Sequence, residues 1–493
     1  MRRTLSPVQS TDPDTCYRAL VSRDGRFDGR FFATVKTTGI YCRPICPAPK
    51  PKRKNVDFVP TAAAAEVAGF RACLRCRPDS APGSSDWLGS SALISRAIRK
   101  INDGALNLGS VKDLSEQLGI TSRHLSRLFR EELGASPLEF AQTLRAHGAR
   151  RLLEQTGMKM TDVAFAAGYG SIRSFNAEMR TRFEHTPAEL RKRAGVRSVP
   201  GECTIRLRIP YRPPLAWEAI LAHLQVRSIA GVERVVNGTY QRTVRQEGAS
   251  GRITVSNAAQ SNALIVALDL PVSRGMTGLL ERVRGLFDLR ADPLQIADDL
   301  AGARELAPLI AKYPGLRVVG AWDGFELALR AILGQQVSLK GATTLLSRLA
   351  TLCGDSVEFT DSGLAHLFPT PEQVVNADLS SLGVPRARIT ALKGLAQAVV
   401  TGWLDLDCGA DPEQTRARLL EIAGVGPWTA EYILMRGLRN PDAFPAGDLV
   451  LRKALSKDTK PLSTRDLENR SAAWRPWRAY AAMWLWKGMA DRI

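Results

Sequence analysis

Beyond residue 90 the chain repeats one arrangement of apolar and polar positions. In DLSEQLGITSRHLSRLFREELGASP from Asp113, and again in DVAFAAGYGSIRSFNAEMRTRFEHTP from Asp162, an apolar helix leads to a glycine (Gly119, Gly168). A turn and a second helix follow, opening on Ser122 or Ser171. Leu125, Leu128 and Phe129 in the first copy, and Phe175 and Met179 in the second, recur at helical spacing and face a core. The pattern predicts two helix-turn-helix units joined by a long helix over residues 138–155. After GVRSVPGE the pattern changes to short alternating runs, TIRLRIPYRP, ERVVNGTYQRTVR, RITVSNA and ALIVALDL, which read as strands of a small antiparallel domain over residues 202–285. From LLERVRGLFDL onward helical periodicity returns. In LLEIAGVGPWTAEYIL, residues 419–434, an apolar helix breaks at Gly424-Val425-Gly426 and another begins at Pro427. The segment DSAPGSSD, residues 79–86, is small and polar and reads as a linker.

At 493 residues this succession is too long for one core and suggests about three or four domains. Charge narrows the partners. Lys and Arg number 68 against 49 Asp and Glu, a formal charge of +19, which predicts attraction to a polyanion, nucleic acid first. The basic start MRRTLSPVQS is not followed by an apolar run, and no stretch approaches the about 18 apolar residues that a membrane span needs. No membrane partner is expected, and the expected location is the cytoplasm, on the nucleoid.

Eight cysteines are too few for a disulfide scaffold in so long a chain. Four of them cluster: Cys42 and Cys46 in GIYCRPICPAP, then Cys73 and Cys76 in GFRACLRCRPD. The pattern is C-x3-C, a spacer of 26 residues, then C-x2-C. Each short spacing lets one turn present two sulfurs to one ion, and four thiolates close the tetrahedral shell of a single Zn2+. Two disulfides are the competing pairing; the spacing favours zinc. Cys16, Cys203, Cys353 and Cys408 lack metal spacing and read as packing residues.

Several of these stretches carry resemblances. RFDGRFFATVKTTGIYCRPICPAP, followed by NVDFVPTAAAAEVAGFRACLRCRPD, resembles the metal-binding domain of the Ada methyl-acceptor family, over nearly all of residues 14–80. The resemblance implies that Cys42 is both zinc ligand and nucleophile, taking a methyl group from a DNA methylphosphotriester in a single turnover. Losing one negative charge there would tighten the hold on phosphates. The tandem helix-turn-helix resembles the AraC-type DNA-binding domain over residues 90–194. In that family both second helices enter successive major grooves, which makes Arg123, Arg127, Arg173 and Asn176 the candidates for reaching base edges or phosphates.

LLEIAGVGPWTAEYIL has the form of a helix-hairpin-helix, whose glycine turn lets backbone N–H groups approach a phosphate. Together with DAFPAGDLVLRKAL and PGLRVVGAWDGFELALRAILGQQVS it resembles the AlkA-type, alkyladenine-excising DNA glycosylases of the helix-hairpin-helix superfamily, from about residue 202 to 490. Asp448 then matches the catalytic aspartate, while Gly447-Asp448 before an apolar helical run also suits a helix cap. A carboxylate beside an oxocarbenium-like sugar stabilises its charge and orients water. Trp428, Tyr432 and Trp486 match positions lining the base pocket, where ring faces attract a cationic alkylated purine. Gly424, Gly426 and Thr429 of the hairpin fall to DNA contact. So does Gln336 of GQQVS, which aligns with a leucine wedge in the best-known relative. Leu449 stands where that relative has tyrosine. Trp428 occupies the place of the lysine that bifunctional relatives use, so strand cleavage is not expected. No Pro-Cys-His-Arg acceptor motif occurs, so O6-methylguanine repair is not expected either.

The expected fold is therefore multidomain, mainly α with α+β parts. Its segments are a small zinc α/β domain (1–80), a tandem helix-turn-helix all-α domain (86–195), a small antiparallel domain with α/β character (202–285) and a helix-hairpin-helix glycosylase α domain (286–493). The expected function joins transcriptional activation in the response to alkylation with hydrolysis of the N-glycosidic bond of 3-methyladenine- and 7-methylguanine-type purines. Two rival readings are a regulator whose glycosylase-like half only binds DNA, and a glycosylase whose zinc is purely structural. The expected partners are double-stranded DNA and RNA polymerase, and the expected state is a monomer.

Overall fold

A strand that ends in a cysteine runs parallel to another strand that is followed by one, and this pairing organises the N-terminal part of the chain. The computed structural model describes residues 12–78, 92–196, 205–246, 248–270, 275–359, 363–456 and 460–491; the segment 79–86 and Cys203 lie outside them. Two compact units emerge, Met1–Arg212 with Ala258–Glu281, and Pro213–Asn257 with Arg282–Ile493.

The first unit begins with a mixed sheet of β1 (Phe32–Val35), β2 (Ile40–Cys42), β3 (Val56–Val59) and β4 (Arg71–Ala72), in the order β3-β1-β2-β4. β1 pairs antiparallel with β2 and β3, whereas β2 and β4 run parallel, Tyr41 opposite Ala72. The helix Pro13–Ser22 covers the sheet. Its N-cap Asp12 accepts from the Thr15 N–H at 2.9 Å, and its Cys16 packs with Phe31, Ala33, Val56 and Phe58 in a closed core. Burial there pushes the Cys16 thiol up to about 12. Cys16 is thus the packing residue its isolated position predicts.

The helical part of this unit shows the repeat directly. Val111–Gln117 and Ser122–Leu133 form the first pair, Met160–Ala166 and Ile172–Phe183 the second, and Pro137–Gln155 connects them. Gly119 and Gly168 both take positive φ, 71° and 91°, which a residue with a side chain adopts at a cost. Caps fix the helix starts. Thr121, rather than Ser122, caps the helix Ser122–Leu133 by accepting from the His124 N–H, and Ser171 caps the helix Ile172–Phe183. The connecting helix opens with Pro137 in its first turn and a reciprocal Ser136–Glu139 capping box. Leu125, Phe129, Phe175 and Met179 are fully buried and Leu128 partly so. The unit also holds an antiparallel ladder of β5 (Ile205–Pro210) and β9 (Ala263–Asp269).

In the second unit β6 (Glu233–Val236), β7 (Thr239–Gln246) and β8 (Ala249–Ala258) form an antiparallel meander. Its inner face meets the helix Gly324–Leu333 through a buried charge network. Arg242 pairs with Glu326 at 2.8 Å, and Arg330 pairs with Glu233 at 2.7 Å and with Glu326 at 2.6 Å. Each buried ion has a partner, as burial requires. The remainder is helical. Among the described residues no helix is long and apolar enough to cross a membrane.

The helix-hairpin-helix differs from its sequence outline in one respect. The first helix, Pro412–Glu421, stops before the glycines, and Ile422–Gly426 forms the turn. Ile422 is already extended, and Gly424 sits at φ 88° with the Ala391 side chain 3.1 Å from where a Cβ would be. Helical periodicity in Leu419 and Ile422 continues the apolar face past the point where the backbone leaves the helix.

Candidate functional sites: a four-sulfur centre and a carboxylate held by two indoles

The parallel pairing of β2 and β4 brings the two cysteine pairs together. Cys42 ends β2, Cys73 follows β4, and the Cys73 N–H donates to the Tyr41 carbonyl at 3.0 Å. Each pair closes its own turn: the Cys46 N–H donates to Arg43 O, and the Arg77 N–H to Cys73 O with Arg77 at φ 52°. The ligand atoms of Cys42, Cys46, Cys73 and Cys76 all lie within 4.8 Å of one another, and the sulfurs of Cys46 and Cys73 are 3.9 Å apart. Four sulfurs at about 2.3 Å from one tetrahedral zinc would be about 3.8 Å apart. The donor set therefore fits one Zn2+.

All four are buried. Hydrogen bonding to Cys46, Cys73 and Cys76, with burial, pushes the Cys42 thiol well above the ordinary range when sulfurs are its only company. Backbone N–H groups of Ala48, Cys76 and Arg43 act on the sulfurs of Cys46, Cys73 and Cys76 respectively. The Arg43 contact is 3.3 Å long. The Arg43 side chain meanwhile spans Asp28 and the Cys76 carbonyl, which fixes the second turn against the first.

The second site lies where three segments of the glycosylase-like unit converge. Asp448 caps the helix Leu449–Ala454, its Oδ1 accepting from the Leu451 N–H at 3.0 Å. The indole N–H of Trp428, in the helix Pro427–Arg436, donates to Asp448 Oδ2 at 3.0 Å. From the helix Arg478–Ala490, the Trp486 N–H donates to Oδ1 at 3.1 Å. Tyr432 stacks on Trp428, with ring centroids 5.2 Å apart and planes 13° from parallel, and meets Trp486 edge-on at 6.4 Å. The four sequence-derived candidates are thus adjacent, and all are only partly buried. Burial would push the Tyr432 phenol up, but the guanidiniums of Arg436 and Arg227 outweigh it and hold the phenol below its usual range. Leu449 and Val450, next to the acid, are exposed apolar side chains.

Beside this centre, the loop between the helices Gly324–Leu333 and Leu339–Cys353 is tied to the hairpin. The Gln335 amide N–H2 donates to Gly424 O at 2.9 Å and to Thr429 Oγ1 at 3.0 Å, and Arg388 Nη2 donates to the Gln335 carbonyl at 2.9 Å. Gln336 takes φ 54° and is exposed, while Thr429 is buried.

Four family models match in succession along the chain. They are the metal binding domain of Ada (residues 15–79), a helix-turn-helix domain (114–193), the AlkA N-terminal domain (206–323) and the HhH-GPD superfamily base excision DNA repair protein (329–478). A Mycobacterium tuberculosis protein described as a probable bifunctional transcriptional activator/DNA repair enzyme AlkA is 44% identical over 478 residues, 96% of each chain. The chain belongs to this AlkA family of bifunctional proteins. DNA-3-methyladenine glycosylase 2 of Escherichia coli is 33% identical over 279 residues, 56% of this chain and 95% of its own. Among solved structures, a 3-methyladenine DNA-glycosylase from Archaeoglobus fulgidus shares the fold, with a TM-score of 0.52 at 21% identity, covering 57% of this chain and 98% of that one.

Within this AlkA-family chain the second helices of the two helix-turn-helix pairs, Ser122–Leu133 and Ile172–Phe183, here called the reader helices, present the residues their polar faces predict. Arg123, Arg127, Arg173 and Asn176 are all exposed. Arg123, His124, Arg127 and Arg130 border a shallow hollow along the first reader helix. Trp474, Trp477 and Trp484 are buried packing residues, as expected. Sequence reasoning missed two things. One is that Trp428 and Trp486 donate to the acid as well as meeting the Tyr432 ring; the other is Gln335, adjacent to the residue it singled out. No periodicity marks either, since both depend on where a polar edge points in three dimensions.

Proposed function

We propose that this protein is a bifunctional transcriptional activator and DNA repair enzyme of the alkylation response. Its segments 1–80, 86–195, 202–285 and 286–493 would serve as methyl acceptor, DNA reader, accessory β domain and glycosylase. Double-stranded DNA is the shared substrate and ligand. The observation that carries the excision reading is a single carboxylate, Asp448, fixed from two sides by indole N–H groups beside a stack of aromatic rings.

In excision the damaged purine leaves the duplex and enters between the rings of Trp428, Tyr432 and Trp486, which attract its positive charge by about 0.5 to 2 kcal/mol per contact. The C1′–N bond breaks, and its electron pair neutralises the cationic base, so no paired general acid is needed. Asp448 stabilises the positive sugar, water adds to C1′, and the released proton passes to the carboxylate or to solvent. With Trp428 in place of an amine nucleophile, the reaction ends at an abasic site. The hairpin residues Gly424, Gly426 and Thr429 place the backbone, and Gln336 fills the gap left in the stack.

In sensing, Cys42 Sγ attacks the methyl carbon of a methylphosphotriester. An S–C bond forms, the C–O bond breaks, and its electron pair stays on the phosphate oxygen. Zinc, when bound by the four cysteines, keeps their sulfurs ionised at neutral pH. A hydrogen bond to a thiolate lowers both its basicity and its nucleophilicity. The Arg43 N–H is such a donor to Cys76 Sγ at 3.3 Å, which disfavours Cys76, and the match of residues 15–79 to the metal binding domain of Ada supports Cys42 as the nucleophile. The alkylated protein then engages promoter DNA through Arg123, Arg127, Arg173 and Asn176 and recruits RNA polymerase, acting as a cytoplasmic monomer.

The test is release of methyladenine from alkylated DNA by the protein and by its Asp448→Asn variant. Asn caps helices as well as Asp, so the fold is retained. The variant is expected to lose at least about a hundredfold in rate. Equal rates would remove Asp448 from the chemistry, and labelled methyl appearing elsewhere than on Cys42 would remove the acceptor assignment.

A further inference from the structure

One carboxylate joins the sulfur-bearing strand to the second reader helix. Glu66 belongs to the short helix Ala62–Val67, and its side chain is 12% exposed. Its Oε1 accepts from Tyr41 Oη at 2.9 Å and lies 3.2 Å from His147 Nε2, which itself is 3.1 Å from Tyr41 Oη. Its Oε2 accepts from Thr143 Oγ1 at 2.6 Å and from the Arg182 guanidinium, which also donates to Thr143 at 3.0 Å and to Glu178 at 2.8 Å. Tyr41 immediately precedes Cys42 in β2, Thr143 and His147 lie in the connecting helix, and Arg182 in the second reader helix.

Further contacts seat the same two surfaces. Thr61 Oγ1 donates to Leu133 O at 2.8 Å, and a Cβ on Gly134 would lie 2.7 Å from the Ala64 Cβ. Arg77, next to Cys76, pairs with Glu154, and Arg71 pairs with Glu184. Arg182 stands nine residues beyond Arg173, and at 100° per residue this places it on the opposite side of the helix from Arg173. The contacts of Glu66 therefore meet the side of this helix away from Arg173 and leave the Arg173 side exposed. Burial would raise the Glu66 carboxyl, but His147 and Arg182 outweigh burial and hold it below the usual carboxylate range. A buried charge that loses a partner is strongly destabilising, so neither side can leave without cost.

We propose that Glu66 is a positioning residue that couples the methyl acceptor to the DNA reader, fixing the strand of Cys42 against the second reader helix so that both engage one duplex as a single body. Rigid docking converts the sensor's phosphate contact into an intramolecular event once the reader is bound. Neutralising one charge at the sulfur centre then acts on DNA already held by the reader. This inference rests on the methyl-acceptor reading above.

The experiment uses the full-length, zinc-loaded protein and a duplex recovered from random sequence by the methylated wild type. Glu66→Ala, Arg182→Gln and the double variant are compared before and after methyl transfer from a methylphosphotriester duplex. Zinc content and transfer to Cys42 are expected to be unchanged. The gain in duplex affinity on methylation is expected to shrink on the order of tenfold in each single variant, and no further in the double. Amide hydrogen exchange in helices 62–67 and 172–183 is expected to quicken in all three. A full gain in Glu66→Ala with transfer intact overturns the coupling, and unchanged exchange overturns the positioning. If Glu66→Ala fails to hold zinc, Arg182→Gln carries both readouts from the reader side. A wild type that accepts no methyl at all sinks the acceptor reading instead, and exchange alone then decides whether Glu66 positions the two parts.

Discussion

Trp486 donates its indole N–H to Oδ1 of Asp448 at 3.1 Å, across 38 positions of sequence, while its ring stands edge-on to Tyr432. One side chain therefore does two jobs, and a conservative change separates them. Trp486→Phe keeps an aromatic face and removes the donor. A hydrogen bond to a charged group contributes about 1.5 to 3 kcal/mol, so the rate of methyladenine release should fall by roughly 10- to 100-fold. Single-turnover release from alkylated DNA measures it, and the KM should move less than the rate because the ring face remains. An unchanged rate would reduce the indole to a wall.

Gln335→Ala unties the loop of Gln336 from the hairpin. Two bonds at about 1 kcal/mol each give up to roughly thirtyfold weaker binding where the loop is inserted. Titration of a duplex containing an abasic site should show this loss, and an undamaged duplex should show less. Equal losses on both would mean that Gln335 supports the hairpin itself rather than the loop.

Removal of zinc should open the sensor. Four buried thiols close two turns onto one ion, and without it the short β2–β4 pairing and the contacts of Arg43 with Cys76 are left to hold those turns together. Chelation is expected to release one zinc per chain, to make four additional thiols reactive, and to speed amide exchange within residues 12–78. Four slow thiols after chelation would contradict the shared site.

Asp288 gives the glycosylase-like unit a pH dependence. Burial pushes its carboxyl up from 3.8 to about 6, against the opposing pull of Arg317 and of the Tyr480 hydroxyl bonded to it at 2.8 Å. The folded state therefore keeps a proton that the unfolded chain has already lost. Stability should decline as pH rises from about 4 to about 6 and level off above that. Asp288→Asn should reduce this slope, leaving the smaller part due to Asp323, whose carboxyl burial also raises, and Asn tolerates the φ of 48° found at Asp288. Tryptophan fluorescence in denaturant reports on this unit, because every tryptophan except Trp87 lies within it.

What could be read from the sequence was chemistry written in spacing. Cys42, Cys46, Cys73 and Cys76 announce a shared ion by their intervals, and the repeat around Gly119 and Gly168 announces two matching hairpins. Asp448 could be read both as a cap and as a candidate acid, and its side chain does cap a helix while lying among the aromatic candidates. What escaped was direction. Glu66 is a single carboxylate in an alanine-rich stretch, and its partners Thr143, His147 and Arg182 lie 77, 81 and 116 residues away. Between the neighbours Gln335 and Gln336, the first turns its amide to the hairpin and the second is exposed on a left-handed backbone, a difference that no spacing encodes.

The two tryptophan supports of Asp448 lie on opposite sides of it in the chain, Trp428 20 positions before and Trp486 38 positions after. Loss of the last helix, Arg478–Ala490, would therefore take one indole from the carboxylate and leave the other in the chain. The cysteine pairs, both encoded before residue 80, lie in the other compact unit. Shortening from that side thus strips support from the acid long before it reaches the four sulfurs.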